Sequence, residues 1–338
     1  MKISTQFGNV IFILILISLS IISCKEKSGP KIGFMLPHMT IKRYIIEKEA
    51  FTAKIKELGG EVIFMSADND EEKQNQQVND ILDEGIDVLV LDPVNRFSAA
   101  GMVRAAHNKG IPVISYDRLV ANCDVDNFLT FDATAVGTLM TNYVLSKKPE
   151  GNYIILGGDK SDINAVLIDA AIEKSLSPSI KSGKIKIVYK SFIEKYSEDD
   201  ASHEIVRFFN LTSEKPDVIL ACSDILAKGA INGIKKAGFA GNILITGQGG
   251  ELIACKNILI NQQSMTVYKP IKKLANLAAE ISFDLAKNEN IDKYFKTTIF
   301  NGYSDIPCTF LEVISVNAAN IRSTVVADGL ITESELTN

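Results

Sequence analysis

From Lys31 onward, short apolar segments alternate with helical ones, and this alternation limits the folds open to the chain. The first strand candidates are KIGFML, EVIFMSA, VLVLDP and PVISYD. Glycines at Gly59-Gly60 and Gly85 end the helical stretches between the first three of them. Strands rich in β-branched residues that alternate with helices predict βαβ units, right-handed crossovers and a parallel sheet buried on both faces.

A second series of the same kind begins after FLTFDA. Its strand candidates are NYIILGG, KIKIVYK, PDVILACSD, NILITGQGG and SMTVYKPI. We expect its helices near residues 161–176, 197–210, 226–237 and 271–285. No Ser- or Pro-rich linker divides the 338 residues. The predicted fold class is therefore α/β, with two doubly wound parallel-sheet lobes.

Composition narrows the function classes. The chain is 46% hydrophobic and 23% charged, as expected for a globular protein. Its net charge of −5 offers no basic field for nucleic acid. Dispersed His and Cys residues without a CxxC pair give little support to a metal site. The sequence leaves open whether four cysteines are free or paired: Cys123, Cys222, Cys255 and Cys308.

The first residues have the features of an export signal. Lys2 precedes an apolar run from Val10 to Ile22 that is too short to span a bilayer but suits a signal h-region. The following Ser23-Cys24 resembles a bacterial lipobox, and a plain secretory signal is the alternative. We predict a lipoprotein signal peptide at 1–24, lipidation of Cys24 and a tether at 25–30. The protein would then be a membrane-anchored, extracytoplasmic lipoprotein of the periplasm or cell surface.

Polar side chains follow several of the predicted strands. Asp92, Asp117-Arg118, Asp132 and Lys269 each stand at a strand end. Ligands of open α/β sheets bind beyond the carboxyl ends of the strands. Carboxylates beside cations satisfy sugar hydroxyls, which both donate and accept hydrogen bonds, and aromatic rings pack on the faces of the sugar. The pattern predicts a sugar site between the lobes.

The order of the motifs resembles a known family. These motifs are KIGFML…KRY…EAF, SADNDEE, LDPVN, SYDR, FDATAVG, GNYIILGG, SGKIKIV, ITGQ and MTVYKPIKKLAN. From about Lys31 to Glu335 the chain is similar to the periplasmic D-xylose-binding proteins, receptors of ABC sugar importers in the ribose/galactose-binding class. The resemblance implies a type I periplasmic binding protein whose lobes are joined by a three-segment hinge.

The resemblance also implies domain limits. We assign residues 31–133 and 269–292 to an N-terminal lobe, and residues 134–268 and 293–338 to a C-terminal lobe with its tail. The three hinge crossings are expected near 132–134, 267–269 and 291–297.

Ligand contacts can be carried over one position at a time. The resemblance implies the following ligand-binding residues: Arg43, Tyr44, Asp117, Arg118, Asp162, Asn164, Phe192, Ser223, Asp224, Gly249 and Lys269. Asp162, Asn164 and Asp224 could instead cap helices. Ser223, Gly249 and Ala133 stand where the family has Asn, Asp and Asn, so the particular sugar stays open. Glu251 could partly replace the carboxylate lost at Gly249.

The predicted function is capture of a monosaccharide, D-xylose or a related sugar, for delivery to an ABC permease, without catalysis or cofactor. The protein is expected to be a monomer without a metal ion. A sugar sensor that docks on a membrane histidine kinase or chemoreceptor is the alternative. The sequence offers no separate acid/base pair of carboxylates, which a glycoside-hydrolysing enzyme would need. A sugar-responsive repressor would need a DNA-binding segment where the export signal stands.

Overall fold

The computed structural model describes residues 29–337. The predicted signal peptide, Cys24 and most of the predicted tether lie outside the described residues. Between residues 29 and 337, no helix is both long enough and apolar enough to cross a membrane.

The first lobe is built on a seven-stranded sheet. Its strands are β1 Lys31–Leu36, β2 Glu61–Ser66, β3 Val88–Leu91, β4 Val113–Tyr116, β5 Asn127–Phe131, β11 Thr297–Phe300 and β12 Asp305–Leu311. The strand order is β11-β12-β5-β4-β3-β1-β2, and only β11 runs antiparallel to its neighbour. Every residue of β3 and β4 is buried, as the apolar runs predict for strands covered on both faces.

The second lobe is built on a four-stranded parallel sheet. Its strands are β6 Gly151–Gly157, β7 Ile185–Phe192, β8 Val218–Ala221 and β9 Leu244–Ile245, in the order β7-β6-β8-β9. Two further strands, β10 Thr266–Tyr268 and β13 Ile314–Val316, pair antiparallel with each other. The two doubly wound lobes confirm the predicted fold class.

Helices cover the two sheets. They are α1 Lys42–Glu57, α2 Glu71–Asp83, α3 Ala100–His107, α4 Ala133–Lys147, α5 Ile163–Lys181, α6 Glu198–Leu211, α7 Asp224–Lys236, α8 Leu252–Leu259, α9 Ile271–Ala286 and α10 Glu333–Thr337. Side-chain oxygens of Asp70, Asp132 and Ser197 accept backbone N–H hydrogen bonds at the starts of α2, α4 and α6. Helix α9 packs on α1, and α4 packs on α5.

The chain passes between the lobes at three places. Two of them, from β5 into α4 and from β10 into α9, lie where the sequence predicts a hinge. The third runs from β12 into β13, at residues 311–314, where Val313 packs against the cores of both lobes. It lies about twenty residues after the predicted third crossing.

The predicted domain limit at residue 293 therefore differs from the structure. β12 pairs in parallel with β5, with Cys308 opposite Phe128, so residues 297–311 extend the first sheet. The tail after β13 also packs on the first lobe, since Ile321 and Leu330 share a core with Phe34. An alternating strand pattern predicts which face is buried but not which sheet the strand joins.

The described cysteines are all buried and free: Cys123, Cys222, Cys255 and Cys308. Within residues 29–337 no group of three His, Cys, Asp or Glu side chains has a geometry that could hold a metal ion.

Candidate functional site

Arg43 and Asp117 form an ion pair in the first lobe. Arg43 lies in the first turn of α1, and its Nη2 is 3.0 Å from Asp117 Oδ2, directly after β4. Burial alone would raise the pKa of Asp117, but Arg43, Lys269 and Arg118 outweigh burial and hold it below its usual value. The Asp117 carboxylate therefore stays ionised, and its Oδ1 has no hydrogen-bond partner among residues 29–337.

The backbone at Asp117 is strained. Its φ is 57°, in the left-handed region that non-glycine residues rarely adopt. The backbone N–H donates to the Leu129 carbonyl at 2.8 Å, and the Asp117 carbonyl accepts from Thr130 Oγ1 at 2.8 Å. Hydrogen bonds to β5 thus hold the conformation that places Asp117 and Arg118 beyond the strand end.

A buried carboxylate that the sequence reasoning missed supports Arg43. Glu47 Oε1 accepts from Arg43 Nε at 3.1 Å and lies 3.0 Å from Nη2. Burial raises the pKa of Glu47 to about 7 even though Arg43 lowers it. The i,i+4 spacing of the two residues on α1 is a signal that could have identified the pair from the sequence.

A second buried carboxylate lies beneath Arg118. Asp92, directly after β3, is 0% exposed, and neither of its oxygens has a hydrogen-bond partner in the described part of the chain. Its Oδ1 is 3.9 Å from Arg118 Nε, while Arg118 Nη1 donates to the Pro93 carbonyl at 3.2 Å. Burial raises the pKa of Asp92 well above its usual value, against the effect of Arg118. The turn at 92–93 therefore fixes the direction of the guanidinium.

Lys269 follows hinge strand β10 and is buried. Its ammonium lies 5.7 Å from the centre of the Phe131 ring. Among the described residues, no carboxylate oxygen lies within 4.0 Å of Lys269 Nζ. Burial lowers its pKa, and Asp117 and Asp162 from the two lobes act in the opposite direction.

Asp162 and Asn164 come from the second lobe. Asp162 caps α5, since its Oδ1 accepts from the Asn164 N–H at 2.9 Å, and its Oδ2 accepts from Tyr196 OH at 2.7 Å. Asn164 Nδ2 donates to the Asp117 carbonyl of the first lobe at 3.0 Å. Burial alone would lower the pKa of Arg118, but Tyr44, Asp92 and then Asp162 raise it. The charged groups of the two lobes thus lie close enough to interact.

The two predicted aromatic residues stand in opposite lobes, Tyr44 in the first turn of α1 and Phe192 at the end of β7. Tyr44 is buried, with its ring centre 4.7 Å from that of His38 and 5.4 Å from Arg43 Cζ. Phe192 ends β7 and is partly exposed, with Lys160 Nζ 4.1 Å from its ring centre. His38, after β1, is a neighbour of the site that the sequence reasoning did not select.

Two predicted ligand residues, Ser223 and Asp224, make hydrogen bonds within the second lobe and hinge. Ser223 Oγ caps α7 by accepting from the Leu226 N–H at 3.3 Å. Asp224 accepts at 3.0 Å from Gln263 Nε2, Thr266 Oγ1 and the Glu251 N–H. Both buried oxygens of Asp224 therefore accept hydrogen bonds from the protein itself. The family motif alone does not reveal these hydrogen bonds. Helix α7 is in this way tied to the loop before α8 and to β10.

Gly249 has a φ of 139°, a conformation that side chains rarely adopt. A Cβ atom there would lie 3.5 Å from Glu251 Cγ and 3.2 Å from Asp224 Oδ2. The Glu251 side chain thus passes close to the position of the aspartate side chain that the resemblance implies at 249. Burial and the Asp224 carboxylate raise the pKa of Glu251 to about 7. Ala133, the third position that departs from the family pattern, is a buried residue at the start of α4.

Replacing Glu47 by glutamine is expected to increase stability more at pH 8 than at pH 5. The folded protein keeps a proton on Glu47 up to a pKa of about 7, whereas an unfolded glutamate loses it near pH 4.3. Wild-type stability therefore falls as the pH rises through this window, by about 4 kcal/mol in all, and the glutamine variant lacks this loss.

Urea unfolding of both proteins at pH 5 and pH 8 measures the difference. Glu49→Gln is the matched control, since Glu49 is exposed on the same helix. An equal stability difference between wild type and Glu47→Gln at the two pH values would contradict the raised pKa.

Two α/β lobes whose charged strand ends face each other define a solute-binding protein. The chain belongs to the periplasmic binding protein family, since the periplasmic binding protein domain matches residues 32–290. It is 36% identical over 306 residues to the D-xylose-binding periplasmic protein of Escherichia coli strain K12, which covers 90% of this chain and 92% of that protein. The predicted resemblance is thereby confirmed.

Solved structures with the same fold include two transporter solute-binding proteins, one of them described as belonging to an ABC transporter. The protein from Clostridium phytofermentans, with bound β-D-glucose, superposes with a TM-score of 0.84 at 26% identity, over 90% of this chain and 99% of that one. The carbohydrate transporter protein from Chloroflexus aurantiacus, in complex with D-glucose, gives a TM-score of 0.83 at 25% identity, over 91% and 98%. These relatives are solute-binding proteins and not enzymes, in agreement with the sequence prediction.

Proposed function

We propose that the protein binds one neutral monosaccharide between its lobes and delivers it to an ABC permease. The observation that carries this proposal is the convergence of Arg118, Asp117 and Lys269 with Asp162 of the other lobe. Fixed charges of both signs suit a ring of hydroxyl groups, because each hydroxyl donates to a carboxylate and accepts from a cation.

The proposed contacts divide between the lobes. The first lobe and hinge supply Arg43, Tyr44, Asp117, Arg118 and Lys269, and the second lobe supplies Asp162, Asn164 and Phe192. We place Ser223, Asp224 and Gly249 in the supporting wall. Hinge closure around the ligand is the motion by which binding proteins of this kind work.

The ligand is proposed to be D-xylose or a related monosaccharide. The Escherichia coli relative supports a pentose, and the two solved structures support glucose. Gly249 supplies no side chain at the position where the sequence resemblance implies an aspartate, so the ligand contacts there differ from those that the resemblance implies for D-xylose. Export, lipidation of Cys24 and a monomeric state remain predictions of the same proposal.

A thermal-shift screen of the purified protein tests the proposal. Pentoses, hexoses and short oligosaccharides are added at increasing concentration. A sugar that binds the folded state stabilises it by RT ln(1 + [L]/Kd), about 2.7 kcal/mol at one hundred times Kd. We expect a concentration-dependent increase in Tm with at least one pentose or hexose. No shift with any monosaccharide would contradict the proposed function.

A further inference from the structure

Three consecutive residues at the start of α5 connect the second lobe to the first. They are Asp162, Ile163 and Asn164, called here the 162–164 segment. Helix α5 belongs to the second lobe, where it packs against α4 and its Ile168 lies in the second core. The 162–164 segment reaches beyond that core to the first lobe.

Asn164 makes a direct polar bond across the lobes. Its buried Nδ2 donates to the Asp117 carbonyl at 3.0 Å. That carbonyl also accepts from Thr130 Oγ1 of its own lobe, so both of its acceptor positions are used within the protein. The bond forms only when the lobes are together, and it needs no ligand.

Ile163 makes an apolar contact in the same place. Its partly buried side chain packs against a first-lobe core that contains Leu119 and Val120, in the segment after Arg118. Opening the lobes would expose this apolar surface to water, which is unfavourable in proportion to the area exposed. The contact therefore favours the closed form whether or not a sugar is bound.

Asp162 adds an electrostatic contribution. Burial lowers the pKa of Arg96 in the first-lobe loop after β3, and Asp162 is the charge that opposes this effect. Arg96 Nε is buried and has no hydrogen-bond partner among the residues that the structure describes. The second-lobe carboxylate thus stabilises a poorly solvated cation of the first lobe when the lobes are closed.

We infer that the 162–164 segment is an interlobe latch, and that Ile163 increases ligand affinity without touching the ligand. The inference rests on the proposed sugar-binding function. A ligand that requires the closed form binds with an apparent Kd equal to its intrinsic Kd divided by the closed fraction. A latch that raises the closed fraction therefore tightens binding of every accepted sugar by the same factor.

Replacing Ile163 by alanine tests the latch. Alanine keeps the start of α5 helical but removes most of the interlobe apolar contact. We expect the radius of gyration of the unliganded protein, measured by small-angle X-ray scattering, to increase, while that of the sugar-saturated protein stays at the wild-type value. The Kd of the sugar found in the screen should weaken by about three- to tenfold in calorimetry. Ile163→Val should give a smaller shift in the same direction.

Val166→Ala is the matched control. Val166 lies on the same helix, is also β-branched, and is 40% exposed. It should leave both the unliganded radius of gyration and the Kd at wild-type values. An unliganded radius of gyration that is identical for wild type, Ile163→Ala and Ile163→Val would overturn the latch. This readout needs no ligand, so it stays decisive even if no sugar binds, the result that would overturn the proposed function instead.

Discussion

Arg118→Ala should weaken monosaccharide binding by about 100-fold or more while the unliganded protein still unfolds cooperatively. The Pro93 carbonyl and Asp92 hold the guanidinium in place, and its side chain is 25% exposed beside the charges of the second lobe. A hydrogen bond from a charged donor contributes about 1.5–3 kcal/mol, so losing two of them to ligand hydroxyls accounts for this factor. In Arg118→Ala the buried Asp92 carboxylate loses its nearest cation. Because the pKa of Asp92 is raised, this carboxyl group can bind a proton and so avoid an unpaired buried charge.

Isothermal titration calorimetry with the sugar found in the screen measures the loss in Arg118→Ala. Arg104→Ala, on the exposed face of α3, is the control and should bind as wild type does. Unchanged affinity in Arg118→Ala would remove Arg118 from the site. A broad, uncooperative thermal transition of unliganded Arg118→Ala would instead show that Arg118 is needed for folding.

Lys269→Met should make the protein more stable and its binding about 10- to 150-fold weaker. Burial disfavours the ammonium, and no described carboxylate lies within 4.0 Å of it, so methionine of similar length removes a desolvated charge. Asp117, which Lys269 also helps to keep ionised, retains its ion pair with Arg43 at 3.0 Å. The Lys269 ammonium is one strong donor to a ligand hydroxyl, which sets the expected loss of affinity.

The pH dependence separates this effect from simple repacking. The pKa of Lys269 is lowered in the folded protein. Between that pKa and about 10.4, the unfolded chain therefore binds more protons at Lys269 than the folded protein does. Wild-type stability consequently rises with pH in this range. Lys269→Met should lack this rise in urea unfolding experiments, and Lys273→Met, at an exposed position of α9, should keep it. A destabilised methionine variant that still binds sugar normally would contradict the assignment.

Local patterns were sufficient to predict the strands up to β10, but β11, β12 and β13 were not among the predicted strands. The fully buried runs of β3 and β4 and the Asp that caps α2 depend on neighbours in the sequence. The third crossing was misplaced because β12 pairs with β5, about 180 residues earlier, and nothing in the local pattern of β12 specifies that partner.

The site was predictable to the extent that its residues follow strand ends. Asp117, Arg118 and Lys269 follow strand ends, whereas Arg43 lies in the first turn of α1 and pairs with Asp117. The oxygens of Asp224 proved to be used by Gln263, Thr266 and the Glu251 backbone, and such competition among acceptors becomes visible only in three dimensions. The same holds for the placement of Asp92 beneath Arg118.

A crystal structure of the protein grown with the tightest sugar from the screen tests the central claim most directly. We predict one monosaccharide ring enclosed between the lobes, with hydroxyls bonded to Arg118 and Lys269 on one side and to Asp162 on the other. A sugar bound outside this interlobe region, or contacted by one lobe alone, would contradict the account.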